Sequence, residues 1–426
     1  MASFTQKALD TDPSSGRADA DKTRDFLLSM EGITYVKPME YSSVIQRTFL
    51  KLQTDRDTYK GGDEISMVLN TGEYYVHGKT SFIKFKLNIA SQTAKLGDIG
   101  AQSVIESVIL THSSGTQISH NRNRNHYNYI NSQYDSSSDY HEKALSMSKR
   151  STAGAVGVTN PIADTESITV IIPLSEINGL FDQEKLLPAQ LMSMMRLQIG
   201  LEKTPDAFEW AAAGGTYTVQ AFEVWLDCVQ LSDVVLNKLQ NIAASSGGLI
   251  YSFNDYVHNS TSVVGTSVIL SSRSKLAQVN HVFAQSRQLR TGFEDVENSF
   301  LSEPSNFGWN SYSYSYGGIN LPSNSSITDL VSQYYFALWS YALSSDKKDN
   351  TNVAFADFMA GKQIVAANLQ RTNSALSGLP VEGSRSIDVR GTFPATAQAG
   401  YIRYVDLYVS YVTLINIYTN NIMVKS

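Results

Sequence analysis

Alternation of apolar and polar side chains is the pattern that most limits what this chain can fold into. From Ile83 to Ile89 it reads Ile-Lys-Phe-Lys-Leu-Asn-Ile, which places apolar side chains on one face of a strand and polar ones on the other. The sequence therefore predicts an all-β fold. Strands separated by Gly, Asn, Ser and Pro clusters are predicted at residues 44–52, 65–69, 81–89, 104–111, 168–173, 196–201, 217–231, 249–253, 263–270, 277–284, 364–369 and 401–417.

Two segments have a helical period instead. In residues 233–244 apolar side chains recur three or four positions apart, and Gly247-Gly248 follows as a stop signal. A second helix is predicted at 327–343, after Pro322. Its apolar stripe consists of Ile327, Leu330, Val331, Tyr334, Tyr335, Leu338 and Trp339.

The first of these helices separates two halves that end in similar strands. Residues 222–229 and 404–411 both alternate, and they align when Val224 is placed on Val405. The alignment predicts two similar β units joined by a linker helix. The predicted divisions are an N-terminal arm at 1–30, a first unit at 31–232, the linker at 233–247 and a second unit at 248–426.

Composition excludes several classes of protein. The 426 residues contain a single Cys, so neither a disulfide framework within the chain nor a CxxC site is possible. The formal net charge of −6 argues against sequence-specific nucleic-acid binding. Only 17% of the residues are charged, while 23 are Tyr and 17 are Phe, which favours extensive protein contact. The first residues lack the apolar run of a signal peptide, so we expect synthesis inside a cell.

Sequence motifs for catalysis are missing. There is no GxxxxGK[ST], no GxGxxG that opens a helix after a strand, and no GxSxG. Cys228 stands among alternating apolar residues, where a free Cys behaves as a small hydrophobe. Glu223 and Asp227 lie roughly 13 Å apart along a strand, beyond the about 5–9.5 Å that glycoside hydrolysis requires. We predict no catalytic residue, no cofactor and no metal.

The polar stretch at 113–158 invites two interpretations. It holds three histidines and follows His112, but it has no HExxH or comparable spacing, so we expect an exposed insertion rather than a metal site. Arg122, Arg124 and Tyr127 could bind nucleic acid by phosphate pairing and stacking. In an acidic chain, a contact with a neighbouring subunit is the favoured interpretation of these three residues.

Tyr312, Tyr314 and Tyr316 alternate with small polar residues and share one face of a strand. One interpretation is a further strand of the core. The other is a tyrosine-lined face that contacts another subunit, because Tyr supplies large amphipathic area with few rotatable bonds. Both interpretations stay open at this point.

Several segments, taken in order, resemble a known family. Residues 172–181 read Ile-Pro-Leu-Ser-Glu-Ile-Asn-Gly-Leu-Phe and are followed by Leu-Leu-Pro-Ala-Gln-Leu at 186–191 and a strand at 195–201. Further pieces are 274–284, 316–322, 375–379 and 404–413. Together they resemble the double jelly-roll major capsid proteins of the lineage that includes polinton-like viruses, virophages, adenoviruses and the large nucleocytoplasmic DNA viruses.

The resemblance implies two tandem eight-stranded jelly-roll β-sandwiches joined by a short helix, with a few helices in loops. It further implies a structural protein of the virion capsid whose pseudo-hexagonal homotrimers tile an icosahedral shell around a DNA genome. Penton and minor (cement) capsid proteins would be additional partners, and the arm at 1–30 would reach a neighbour or the shell interior. Whether a membrane lies beneath the shell is left open.

A second class of function is compatible with the same residues. Two β-sandwiches in tandem also occur in carbohydrate-binding and adhesive proteins, and this is the alternative to a capsid protein. An enzyme built on such sandwiches is not expected.

Overall fold

The computed structural model describes residues 44–95, 99–134, 161–193, 195–211, 214–244, 248–290, 308–322, 326–341, 353–360, 363–371, 377–381, 385–396, 401–418 and 422–425. The predicted arm at 1–30 lies outside these residues. Each main sheet is antiparallel and takes its strands from one half of the chain, which confirms the all-β prediction.

The first half forms an eight-stranded jelly roll. One sheet has the order β1-β12-β4-β9 and the facing sheet has the order β3-β10-β6-β7. Strand β2 pairs with β12, and a small sheet has the order β11-β5-β8. The strands are β1 Val44–Gln53, β2 Thr58–Lys60, β3 Glu64–Leu69, β4 Tyr75–Ala90, β5 Ala94–Lys95, β6 Ile105–Thr111, β7 Gln117–Asn121, β8 Pro161–Ile162, β9 Ser167–Pro173, β10 Met195–Leu201, β11 Glu209–Trp210 and β12 Thr216–Leu231.

The second half repeats this arrangement. Its sheets have the orders β13-β21-β15-β18 and β14-β20-β16-β17, while β19 pairs with β15 and β22 with β21. Strand for strand, this is the order of the first jelly roll. The strands are β13 Leu249–Val263, β14 Ser267–Ser272, β15 Leu276–Arg290, β16 Ser311–Tyr316, β17 Ile319–Leu321, β18 Val365–Asn368, β19 Leu379–Val381, β20 Ile387–Thr392, β21 Tyr401–Ile417 and β22 Ile422–Lys425.

Alternation explains the core of each sandwich. Ile83 and Val224, from neighbouring strands, are fully buried in the first core, as are Leu407 and Val409 in the second. The first core also includes side chains from the second half. These are Tyr251, Phe253, Ile415, Ile417 and Ile422. The two jelly rolls are therefore packed against each other rather than linked only by a helix.

Helices lie in the connections between strands. They are α1 Arg124–Tyr134, α2 Leu174–Ile177, α3 Ala189–Met192, α4 Thr204–Ala207, α5 Asp233–Ala244, α6 Leu330–Tyr341 and α7 Phe355–Ala360, with 3₁₀ turns at Gly100–Val104 and Gly179–Phe181. In the described part of the chain, no helix has the length and apolar character needed to span a membrane.

The linker helix is confirmed at α5, but other predicted bounds change. Helix α6 begins at Leu330, because Ile327 forms a β-bridge with Tyr312. The strand predicted at 263–270 is interrupted by a turn around Gly265, so that β13 ends at Val263 and β14 begins at Ser267.

The prediction of an exposed insertion at 113–158 is wrong for its described residues, 113–134, apart from the exposed turn at its start. Strand β7 and helix α1 occupy most of this stretch, and the described side chains of α1 are largely buried. Its many Asn side chains are polar, yet they are buried because hydrogen bonds satisfy them. Asn125, for example, donates to the backbone oxygen of Ser103. Residues 135–160 lie outside the described part.

Gly78 in β4 packs closely on the turn at Gly179–Phe181, and a substitution at this position tests how tight that packing is. An added Cβ would lie 2.8 Å from the Cα of Phe181 and closer still to its carbonyl oxygen. We expect Gly78→Ala to lower the free energy of unfolding by about 1–3 kcal/mol through overpacking, measured by denaturant unfolding. Gly265→Ala is the matched control, because nothing lies within 4 Å of its added Cβ. Equal effects of the two variants would contradict the prediction.

Candidate assembly surfaces

Helix α1 joins the two jelly rolls through an aromatic cluster. The Tyr127 ring stacks on Tyr256 with 3.8 Å between ring centroids, and it lies 5.7 Å from Tyr408 and 5.8 Å from Phe283. These three partners come from the adjacent strands β13, β21 and β15. They occupy the outer face of the second jelly roll's β13-β21-β15-β18 sheet, away from its core. We call this contact, formed by Tyr127 of α1 with Tyr256, Phe283 and Tyr408, the inter-roll seam.

A buried ionic group borders the inter-roll seam. Asp406 on β21 accepts from Arg287 Nε at 2.5 Å and lies 2.9 Å from His258 Nε2. Burial alone would raise the pKa of Asp406, but the Arg287 guanidinium and the His258 hydrogen bond hold that pKa well below its usual range. Asn123, just before α1, donates to the Tyr408 hydroxyl at 2.6 Å. The charge of Asp406 is therefore compensated inside the contact.

A second polar contact links β7 of the first roll to β13 of the second. Asn121 donates to the buried carboxylate of Asp255, which also accepts from the Tyr411 hydroxyl at 3.2 Å. Burial raises the pKa of Asp255, although these hydrogen bonds oppose the shift. Beside it lies a cavity of about 320 Å³. Its lining consists of Gln117, Ile118, Ser119, His120, Arg122, Val257, His258, Tyr411 and Val424.

Glu202, a residue of the first jelly roll, accepts a hydrogen bond from the first turn of α1. Its carboxylate accepts from Asn125 Nδ2 at 2.7 Å and from the backbone N–H of Lys203 at 2.9 Å. Burial raises the pKa of Glu202 to about 7, even though both hydrogen bonds act in the opposite direction. The environment of α1 thus contains a carboxyl group that titrates near neutral pH.

The structure corrects the role predicted for Arg124 and Tyr127. Both are buried, and they contact the second jelly roll of their own chain rather than a neighbouring subunit. Arg124 donates to the backbone oxygen of Glu176 at 2.6 Å and lies 5.8 Å from the Tyr256 ring. Arg122 is exposed at the rim of the cavity, so its subunit contact stays a prediction.

The tyrosine-lined strand is a core strand. Of the two interpretations of Tyr312 and Tyr314, the structure supports a strand of the core, because each residue is 1% exposed inside the second sandwich, and it contradicts the subunit contact. Tyr314 donates to the backbone oxygen of Val365 at 2.9 Å, which satisfies its buried hydroxyl. Tyr316 is only partly buried and donates to Pro380, and for it a subunit contact stays a prediction.

The residues considered for chemistry are dispersed. Within the described ranges, no three His, Cys, Asp or Glu side chains are grouped so that they could hold a metal ion. Cys228 is buried in the first core, and burial raises the pKa of its thiol to about 11. Glu223 pairs with Lys51, and Asp227 pairs with Arg47, so each carboxylate has its own cation.

The outer face of the β1-β12-β4-β9 sheet carries a second aromatic group. Phe49, Phe82 and Trp225 come from the adjacent strands β1, β4 and β12, with ring centroids 6.2 Å apart for Phe49 and Phe82 and 5.9 Å apart for Phe82 and Trp225. Beside them, Arg47 donates through Nε and Nη2 to Asp227 at 2.8 and 2.5 Å. We call Phe49, Phe82 and Trp225 the platform. Phe49 is 49% exposed there.

Helix α6 presents a third candidate surface. Val331, Tyr335 and Trp339 recur every four residues, so they share one face of the helix. Their exposed fractions are 66%, 60% and 37%. The opposite face is buried through Gln333 and Ala337. We call Val331, Tyr335 and Trp339 the α6 stripe.

Sequence reasoning missed Tyr256, Phe283, Asp406 and Tyr408. The signal that could have found them is the apolar and aromatic character of both faces of β21. There Leu407 and Val409 point into the core while Tyr408 points to the other side. A strand with large apolar side chains on both faces indicates a sheet that is covered on both sides.

Comparison with solved structures identifies proteins of the same fold, whereas no protein-family model and no curated protein sequence matches the chain. The Faustovirus major capsid protein aligns with a TM-score of 0.63 at 7% identity over 90% of this chain and 93% of that one. The PBCV-1 virus capsid aligns at 0.61 with 10% identity over 92% and 100% of the two chains. The mavirus major capsid protein aligns at 0.54 with 12% identity over 92% of each.

These matches define the fold class. The chain is a double jelly roll, and it shares this fold with viral major capsid proteins across nearly its whole length. The resemblance noted from the sequence is thereby confirmed for the fold.

Tyr127 tests the contribution of the inter-roll seam to stability. Tyr127→Ala removes the ring that stacks on Tyr256 and leaves a cavity, so we expect the free energy of unfolding to fall by about 3 kcal/mol. Tyr127→Phe keeps the stacked ring and is expected to cost about 1 kcal/mol or less. Denaturant unfolding measures both. An alanine variant as stable as the phenylalanine variant would show that the stacking contributes little.

Glu202 predicts a dependence of stability on pH. The folded state holds this proton more tightly than the unfolded state, whose pKa is 4.5, so its stabilising contribution is complete below pH 4.5 and is lost as pH rises through about 7. Relative to Glu202→Gln, wild-type stability should fall by about 3 kcal/mol over this interval. Unfolding measured at several pH values checks it, with Glu73→Gln on an exposed turn as control. Parallel pH profiles of wild type and Glu202→Gln would refute it.

Proposed function

We propose that this protein is the major capsid protein of a virus with an icosahedral capsid. The observation that carries the proposal is the double jelly roll, shared with the Faustovirus, PBCV-1 and mavirus capsid structures over about nine-tenths of the chain. Its function is to assemble with copies of itself into a shell around a DNA genome. Its location is the virion capsid, and it performs no catalysis.

The surfaces of the chain support self-assembly. The platform and the α6 stripe leave large apolar side chains in solvent on an otherwise well-packed protein, and such patches mark interaction sites. A head-to-tail contact between copies closes into a ring when its rotation allows, which leaves no unpaired surface. Many weak contacts between such rings then stabilise a shell through avidity.

We further propose that the assembling unit is a pseudo-hexagonal homotrimer. Three copies contribute six jelly rolls of the same strand order, which supports a ring of six similar units. Penton and minor (cement) capsid proteins are the proposed partners at other positions of the shell. The proposed divisions of the chain are the arm at 1–30, the two jelly rolls at 31–232 and 248–426, and the linker at 233–247.

Native mass measurement tests the proposal directly. We expect the purified protein to be a stable trimer of 46.9 kDa chains, and negative-stain electron microscopy should show hexagonal particles or shells. A monomer that binds glycans in an array would instead support the alternative, a two-domain carbohydrate-binding or adhesive protein. A monomer without higher assembly at any concentration or ionic strength would overturn the capsid proposal.

A further inference from the structure

The two jelly rolls have the same strand order, so the contact that the first roll makes with the second can be compared with the corresponding elements of the other roll. In the inter-roll seam, α1 follows β7 of the first roll and packs on the outer face of the β13-β21-β15-β18 sheet. Helix α6 follows β17 in the second roll, and β17 occupies the same place in the strand order as β7. The outer face of the β1-β12-β4-β9 sheet corresponds in the same way to the covered sheet. In strand order the chain therefore repeats both partners of its own seam, although α6 packs on β18 and β15 of its own sheet through the face that carries Ala337.

The two sheet faces carry similar chemistry. The covered face has Phe283 paired across strands with Tyr408, and the platform has Phe82 paired across strands with Trp225. Each face adds a third aromatic residue from the neighbouring strand, Tyr256 or Phe49. Asp227 on β12 and Asp406 on β21, strands that take the same place in the two sheets, are each paired with an arginine beside the aromatic group.

The faces differ in what covers them. Tyr256, Phe283 and Tyr408 are buried beneath α1 and neighbouring residues, whereas Phe49 is half exposed and Arg47 of the Arg47–Asp227 pair is 58% exposed. On the helices, α1 is buried, whereas the α6 stripe is in solvent. Among the described residues of a single chain, the platform is thus only partly covered and the α6 stripe is exposed to solvent.

Charges next to these two surfaces are opposite in sign. Lys84 and Lys86 follow Phe82 on the same face of β4, and Lys86 is exposed. The start of α6 carries the exposed Asp329, whose Oδ1 accepts from the backbone N–H of Ser332 at 2.7 Å. Opposite charges at the edge of an apolar contact favour one orientation of the two partners.

We propose that the α6 stripe of one copy docks on the platform of a second copy of this chain, repeating between chains the contact that α1 makes within one. The inference rests on the proposed self-assembly and names the surfaces that carry it. Because the α6 stripe and the platform are different surfaces, the contact is head to tail. A ring closes when the α6 stripe of each copy docks on the platform of the next copy.

Two single substitutions test the α6 stripe and the platform one at a time. Tyr335→Arg places a charge in the α6 stripe and keeps the platform, whereas Phe49→Arg disrupts the platform and keeps the stripe. Each variant alone should lose the trimer at concentrations at which wild type is fully trimeric. Mixed in equal amounts, they should form a dimer with one copy of each, because one intact stripe then meets one intact platform.

The matched control is Val264→Arg, which adds the same charge at a turn residue that is 89% exposed and outside both surfaces. It should leave the trimer unchanged. Circular dichroism and thermal unfolding confirm that each variant is folded, and native mass spectrometry reports its assembly. A trimeric wild type whose two variants also remain trimers would overturn this inference alone. A monomeric wild type would overturn the proposed self-assembly, and this inference with it.

Crosslinking tests the same contact without disrupting the fold. A Tyr335→Cys chain and a Phe49→Cys chain each carry one added thiol, and the only other Cys, Cys228, is buried in the core. After mixing and exchange of subunits, a short bifunctional maleimide should join the two variants to each other. Crosslinking of Tyr335→Cys chains only to themselves, or of neither variant to the other, would contradict the head-to-tail contact.

Discussion

The stacking of Tyr127 on Tyr256 is the contact on which the arrangement of the two jelly rolls depends. It brings a helix of the first roll onto three strands of the second, and the rings of Phe283 and Tyr408 complete the cluster. Aromatic rings contribute large buried area and a preferred geometry, so one such contact fixes both distance and orientation. The continuation of the first core into Tyr251 and Ile415 strengthens the same packing. The packing of the two rolls therefore fixes the position and orientation of the platform relative to the α6 stripe.

Covering a sheet on its second face requires that every polar group there be satisfied. Asp406 meets this requirement through Arg287 and His258, and Asp255 through Asn121 and Tyr411. On the platform side, Asp227 is paired with Arg47, whose side chain is 58% exposed. A buried carboxylate with a paired cation is compatible with further burial, because its desolvation is largely compensated before docking. This is the physical reason why the platform is suited to receive a partner.

Much of the fold was predictable because alternation and helical period are local properties. The linker helix at Asp233–Ala244 and the strand at Tyr401–Ile417 have the predicted bounds, and the similar strands ending each half occupy the same place in their sheets. Helix α1 was not predictable in this way. Its polar residues have the composition of a surface loop, and they are buried only because Ser103, Glu202 and the second roll supply hydrogen-bond partners from distant parts of the chain.

The sequence by itself determined two β units of alternating strands, the helix between them and the resemblance to a capsid fold. Only the tertiary structure decided which aromatic residues face a core and which lie on the outer face of a sheet. In the sequence, Tyr312 and Tyr314 are compatible with either a core or a contact surface, and they fill the second sandwich. Phe49 and Trp225 look like ordinary strand residues in the sequence but form the platform. The reason is that alternation fixes only which side chains share a face. Whether that face is covered depends on residues hundreds of positions away, or on another chain.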